Sequence, residues 1–160
     1  MVNEISNPAA VVDEETFSVR RTIRIAASVD KVWRAVAEPE HVSRWFGLVA
    51  LDGAGVGATG TMTFPDYGVI PLRVEAFDEP NLISYRWGND DAADARPDVL
   101  DPEKSTVFTF TLEPVDGGTQ LTVVESGFER TSAPLENLES HRTGWNEELD
   151  KLVALVEGEA

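Results

Sequence analysis

The sequence predicts an α+β fold: a curved antiparallel sheet of about six strands around a long C-terminal helix, with two short helices after the first strand. Three observations predict it. "TFSVRRTIRIAA" alternates apolar and polar residues, then gives way to helical spacing. Five further segments from "GATGTMTFPD" to "TQLTVVESGF" read as strands separated by turn residues. "APLENLESHRTGWNEELDKLVALVEG" closes the chain with apolar residues at helical period.

In the first strand Phe17, Val19, Ile23 and Ile25 share a face, opposite Ser18, Arg20, Thr22 and Arg24; Arg21 interrupts the apolar set. Ser28 suits the N-cap of a helix whose Val29, Val32, Trp33 and Val36 form a stripe, with Asp30 at the positive end of its dipole. Pro39 opens a second short helix carrying Val42, Trp45 and Phe46. Met62 and Phe64 then share a strand face, as do Ile70, Leu72, Val74 and Ala76, where Pro71 points to an edge or a bulge. Ile83, Tyr85 and Trp87 lie opposite Leu82, Ser84 and Arg86; Phe108, Phe110 and Leu112 form the next apolar face, and "DGG" turns that strand into its partner. In the closing helix Leu135, Leu138, His141 or Arg142, Trp145, Leu149, Leu152, Val153 and Val156 lie on one stripe. Gly144 sits inside it at a cost of up to about 1 kcal/mol relative to alanine, which a kink or a close backbone approach would explain. The sheet's apolar face and this stripe should pack together, and a hollow between them is a natural ligand site.

The chain has 160 residues, about one domain, with residues 1–15 expected as a loose tail and 16–160 as the folded unit. Its 29 acidic against 13 basic residues give a net charge of −16, which argues against nucleic acid and anionic membranes as partners and favours solubility. The first residues lack the charged and apolar regions of a signal peptide, and no apolar run reaches the roughly 20 residues of a membrane span, so a cytoplasmic location is expected. Residues 89–104 form an acidic stretch longer than the usual connection of about 4–6 residues, read as a solvated flexible loop able to act as a lid.

No catalytic motif emerges. There is no cysteine and no G-x-S-x-G elbow, and His41 and His141 are isolated, so no metal, cofactor or nucleophile site is expected. Asp90, Asp91, Asp94, Asp98 and Asp101 lack calcium-loop spacing. Helical spacing brings His141 beside Trp145 above the sheet. Trp33 reads as core. Trp45, Phe64, Tyr85, Trp87, Phe108, Phe110, His141 and Trp145 are the candidate lining of a pocket for a small apolar or aromatic ligand. Glu125 faces a low-dielectric interior if Leu121 and Val123 point inward, and solvent in the opposite register; Arg21 poses the same alternative.

Three stretches carry a family resemblance. "VRRTIRIAASVDKVWRAVAEPEHVSRWF", "STVFTFTLEPVDGGTQLTVVESGF" and "GWNEELDKLVALVEG" resemble, in order, the opening strand and helices, the last hairpin and the closing helix of the SRPBCC (START-like, helix-grip) superfamily, across most of residues 16–158. The nearest branch resembles the activator of Hsp ATPase homologue-like domains. That resemblance implies a ligand-binding or stress-response protein, with two alternatives: a co-chaperone-like activator whose partner is a heat-shock ATPase, and a polyketide cyclase or aromatase-like enzyme using His, Arg, Tyr or Glu groups.

Overall fold

Alternation in Ser18–Ile25 places Val19, Arg21, Ile23 and Ile25 on the inner face of a strand, β2, whose neighbours are assembled by the same rule. The computed structural model describes residues 7–65, 68–90 and 100–158. The other strands are β1 (Val11–Asp13), β3 (Leu48–Asp52), β4 (Thr59–Phe64), β5 (Gly68–Asp78), β6 (Leu82–Trp87), β7 (Thr106–Val115) and β8 (Gly118–Ser126). They form one antiparallel sheet in the order β1-β2-β8-β7-β6-β5-β4-β3. Helices α1 (Val29–Ala37) and α2 (Pro39–Val42) follow β2, and α3 (Pro134–Gly158) closes the chain after a 3-10 turn at Phe128–Arg130. The core lies between the inner sheet face and the helices, and Phe108, Phe110, Leu121, Leu138, Leu149 and Leu152 are almost wholly excluded from solvent.

The sheet has eight strands where the sequence predicts about six. The two additional strands are its edges. β1 falls in the segment expected as tail: Val11 pairs with Arg20 and Asp13 with Ser18, and Ala10 is buried. β3 follows α2 after the short turn of residues 43–47. Both are short, and Val11 and Leu48 point their apolar side chains outward, so neither sequence shows the apolar–polar alternation of a half-buried strand, although the residues themselves alternate in burial. Two further expectations change. The register of β5 on β6 shifts between Val74 and Ala76, so Ala76 pairs with Ser84, and Phe77, not Ala76, falls on the face of Ile83 at the margin of the sheet, 38% exposed, where it meets Trp33 edge-on at 5.4 Å. Pro71 lies at neither an edge nor that bulge. It stands in an interior strand where β5 outruns β6, one residue beyond the last pair, Leu72 with Trp87.

Local chemistry at the element ends is as the residues suggest. Ser28 Oγ accepts the Lys31 N–H at 3.3 Å as the cap of α1. Gly117 has φ +83° in the Asp116–Gly117 turn between β7 and β8, a conformation that costs glycine nothing. The last carbonyls of α1 would be orphaned in the core. Instead Trp45 Nε1 donates to Ala35 O at 2.7 Å and the Tyr85 hydroxyl to Val36 O at 2.6 Å.

α3 is long, and its buried set is Asn137, Leu138, His141, Trp145, Leu149, Leu152 and Val156; Leu135, expected on the stripe, is 57% exposed. Arg21 faces inward and fastens the middle of the helix. Its guanidinium donates to Trp145 O at 3.3 Å, Asn146 O at 3.0 Å and Asp150 Oδ1 at 2.8 Å, and Nε donates to Pro8 O at 2.9 Å. Asn146 in turn accepts the Ala10 N–H at 2.7 Å, so the chain before β1 is held to the helix by the same cluster. A planar fork is needed for this set of acceptors, and a lysine ammonium cannot reproduce it. Arg21→Lys should lose about 1.5–3 kcal/mol, the range for hydrogen bonds to a charged group. Urea unfolding measures this, and a variant of unchanged stability would show that the fork contributes nothing.

Candidate functional site

Helix α3 lies close to β1 and β2 and against α1. On the other side, towards β4, β5 and β6, a half-open cavity of about 400 Å³ remains. Its inner wall is aromatic: Phe46 from the turn between α2 and β3, Phe64 from β4, Trp87 from β6 and Trp145 from α3. Phe46 connects the set, with ring centroids 5.7 Å from Phe64, 5.6 Å from Trp87 and 5.4 Å from Trp145. The helix side is polar apart from one bare position: Ser140, His141, Thr143, Glu147 and Glu148 surround Gly144. Partial burial pushes the Glu148 carboxyl above the ordinary carboxylate range, against the pull of the Lys151 ammonium 2.8 Å away. A second hollow, of about 460 Å³ beside the β7–β8 turn, is lined by groups such as Asn7, Thr22, Asp116 and Glu157 and has no aromatic wall.

Behind the aromatic wall stands Glu125, with no solvent exposure. Its strand neighbours Leu121 and Val123 point inward, and alternation carries Glu125 with them. An isolated carboxylate there would be untenable. Glu125 has four donors, two for each oxygen. Trp87 Nε1 at 2.8 Å and the Thr106 hydroxyl donate to Oε2; His141 Nδ1 and Trp145 Nε1, both at 2.8 Å, donate to Oε1. Burial pushes the carboxyl up, but the His141 charge and the hydrogen bonds from His141, Thr106 and Trp87 together hold it below the usual range. An ionised carboxylate only accepts, so the His141 proton is on Nδ1 and the ring orientation is fixed. Edge contacts with Phe128 at 5.0 Å and Trp87 at 5.9 Å hold the same ring.

The eight residues named as pocket lining from the sequence divide into two groups. Phe64, Trp87, His141 and Trp145 border the cavity. Trp45, Tyr85, Phe108 and Phe110 stand behind it in the core, where Trp45 and Tyr85 use their polar tips on the α1 carbonyls and burial pushes the Tyr85 hydroxyl pKa up. Sequence reasoning did not single out Thr106 or Asn137 for the site. Asn137 and Ser132 donate to Asp90, which fixes the exit of β6 to the start of α3. Asp90 therefore clamps a helix end, whereas residues 91–99, most of the acidic loop expected as a lid, lie outside the described residues. Arg86 and Arg73 are engaged elsewhere: they pair with Glu75 at 2.9 and 2.6 Å on the outer face, and that pairing, Arg73 first, holds the Glu75 carboxyl low.

The carboxylate's role in stability is testable. Glu125→Gln places an amide among groups that are all donors, and should cost about 3–5 kcal/mol, as when one partner of a buried ion pair is removed. Because the folded-state pKa lies below the unfolded value of about 4.3, the stabilisation is complete above that pH and lost as pH falls through the folded pKa. Denaturant titrations across pH 2–7, a range of about five units around that value, should show an acid limb in the wild type that is smaller in Glu125→Gln. Equal limbs would exclude the assignment. Tyr85→Phe should cost about 1–3 kcal/mol by leaving Val36 O unpaired in the core, and a stability within error of wild type would refute that cap.

Residues 26–157 match the family described as Activator of Hsp90 ATPase homolog 1-like protein. Comparison with curated protein sequences finds no match. Among solved structures, protein MLL2253 from Mesorhizobium loti is 26% identical, over 89% of this chain and 98% of its own, with a TM-score of 0.72. Protein Ms6760 from Mycobacterium smegmatis is 22% identical over 96% of each chain, with a TM-score of 0.66. CalU16 from Micromonospora echinospora is 18% identical over 97% of this chain and 85% of its own, with a TM-score of 0.68. The last two speak for the fold alone. Among the described residues no helix is long and apolar enough to cross a membrane. With its sheet curved around α3 and the family match running from the residue after β2 into the last turn of that helix, the chain belongs to the Activator of Hsp90 ATPase homolog 1-like family, a branch of the helix-grip SRPBCC superfamily.

Proposed function

We propose that this chain binds a small, mostly apolar aromatic molecule in the cavity between β4–β6 and the first half of α3, without chemistry on it. The observation that carries this reading is the cavity wall: four aromatic rings, two of them indoles held by their N–H groups to a buried carboxylate, facing a polar helix side. An aromatic wall with a few polar groups at its edge suits a ligand with an apolar body and one or two polar handles.

Several of the groups a cyclase-like enzyme would use are committed elsewhere. Glu125 has all its lone pairs occupied, the Tyr85 hydroxyl serves α1, Arg21 serves α3 and Arg86 serves Glu75. Among the described residues, His141, Glu147 and Glu148 are the acid–base groups with a place at the cavity, with His141 held by Glu125 and Glu148 beside Lys151. The chaperone-activator reading draws on the family description and on the net charge of −16, which would suit a basic partner face; no particular surface of the chain favours it.

Titration with N-phenyl-1-naphthylamine tests the proposal. We expect saturable one-to-one binding with quenching of the Trp87 and Trp145 emission. Phe64→Ala should weaken binding by about tenfold, equivalent to ~1.4 kcal/mol of lost contact. Absence of saturable binding by the wild type would overturn the reading.

A further inference from the structure

Gly144 is out of place by every local rule. It lies well inside a 25-residue helix, where glycine costs about 1 kcal/mol relative to alanine. Three ordinary reasons for such a glycine fail here. Its φ is not positive, so no left-handed conformation demands it. It is far from the helix C-terminus, so it is not a cap. A Cβ built on it would meet no atom within 4 Å outside the helix's own nearby backbone, so no close approach of another segment demands it, contrary to one explanation the sequence suggested.

What the missing side chain leaves is space in the cavity. Gly144 lines it, and Ser140 and Glu148, one turn before and one turn after, line it too, so the helix presents a bare stretch of backbone between two polar side chains. The helix cannot roll to hide this face. Trp145, the next residue, is fastened through its indole to Glu125 and through its carbonyl to Arg21. The opposite wall of Phe46, Phe64 and Trp87 belongs to a tightly packed ring cluster. The result is a slot with an aromatic wall on one side and, on the other, the bare backbone of Gly144 set between polar side chains.

We infer that Gly144 is the specificity-determining residue of this cavity, and that the bare helix turn it creates admits a flat, multi-ring aromatic ligand that any larger residue at 144 would exclude. The inference rests on the ligand-binding reading above and narrows it. A planar ring system fits such a slot because it contacts the indole and phenyl wall with one face and the exposed helix turn with the other. The substitution that local energetics favours, alanine, is then the one that function opposes, a trade common at binding sites.

The test compares wild type, Gly144→Ala and Gly144→Leu with two probes, N-phenyl-1-naphthylamine and the single-ring aniline, and follows thermal unfolding in parallel. Gly144→Ala should unfold at a higher temperature than wild type yet bind the multi-ring probe about tenfold more weakly, the scale of one methylene in a fitted pocket. Gly144→Leu should lose more, and in both variants the affinity ratio should move towards aniline. Wild-type binding that is unchanged in both variants would overturn the role of Gly144 while leaving the cavity as the ligand site. A lower melting temperature in Gly144→Ala would overturn it too, since the fold itself would then require glycine. Failure of the wild type to bind either probe would overturn both readings, and is told apart by appearing before any substitution.

Discussion

A carboxylate with no access to water fixes the geometry of this molecule. Glu125 must be fully hydrogen-bonded or it cannot be buried, and its four donors come from three elements: Trp87 on β6, Thr106 on β7, and His141 and Trp145 on α3. Apolar packing alone would let a long helix slide or roll on the sheet at modest cost. A shared anion with directional partners does not. It specifies one axial position and one rotation for α3, because only there do a histidine and an indole one turn apart both reach the same oxygen.

Arg21 makes the constraint two-sided. In the sheet, Val19 pairs with Glu125 and Arg21 with Val123, so the buried cation and the buried anion sit on adjacent strands, two residues apart in register. One grips the backbone of Trp145 and the other its side chain. The second half of the helix, with Leu149, Leu152 and Val156, needs no such device and is held by ordinary core packing. Polar anchoring and the cavity therefore share the same end of α3. Two of the four rings that wall the cavity, Trp87 and Trp145, have their N–H groups already bonded, so they are positioned before any ligand arrives, which limits the ordering cost of binding.

Much of this was legible in the sequence, and the remainder was hidden for identifiable reasons. Strands with one face buried, such as β6 and β7, declare themselves by alternation; β1 and β3, edge strands with Val11 and Leu48 turned outward, do not. The bulge at Glu75 moves Ala76 off the inner face and Phe77 onto it, because one extra residue inverts the pattern without leaving a sequence mark. His141 and Trp145 could be placed together from helical period alone. The face of Glu125 could not be settled, since Val123 and Val124 are both apolar and its donors lie 16 to 38 residues away. Helical and strand period reveal which residues are buried, but they are silent on where a polar tip is spent. Trp45 and Tyr85 illustrate the point: both are as buried as pocket residues would be, yet their N–H and O–H groups complete the end of α1.

The division between filled core and open cavity follows from that accounting. Protein interiors close to crystal-like density when nothing opposes it, and an unfilled hollow forfeits dispersion contacts along its whole lining. Around Phe108 and Phe110 the packing is complete, and both rings are within 1% of full burial. A few ångströms away, between Phe64 and Gly144, the same chain leaves about 400 Å³ unfilled. One longer side chain on α3 would occupy part of it and raise helix propensity at the same time. The hollow is therefore not residual space that packing failed to reach. Its indole walls are fixed by a buried ion cluster, and the glycine that lines it weighs against the stability of the empty protein, as expected of a surface shaped for an occupant.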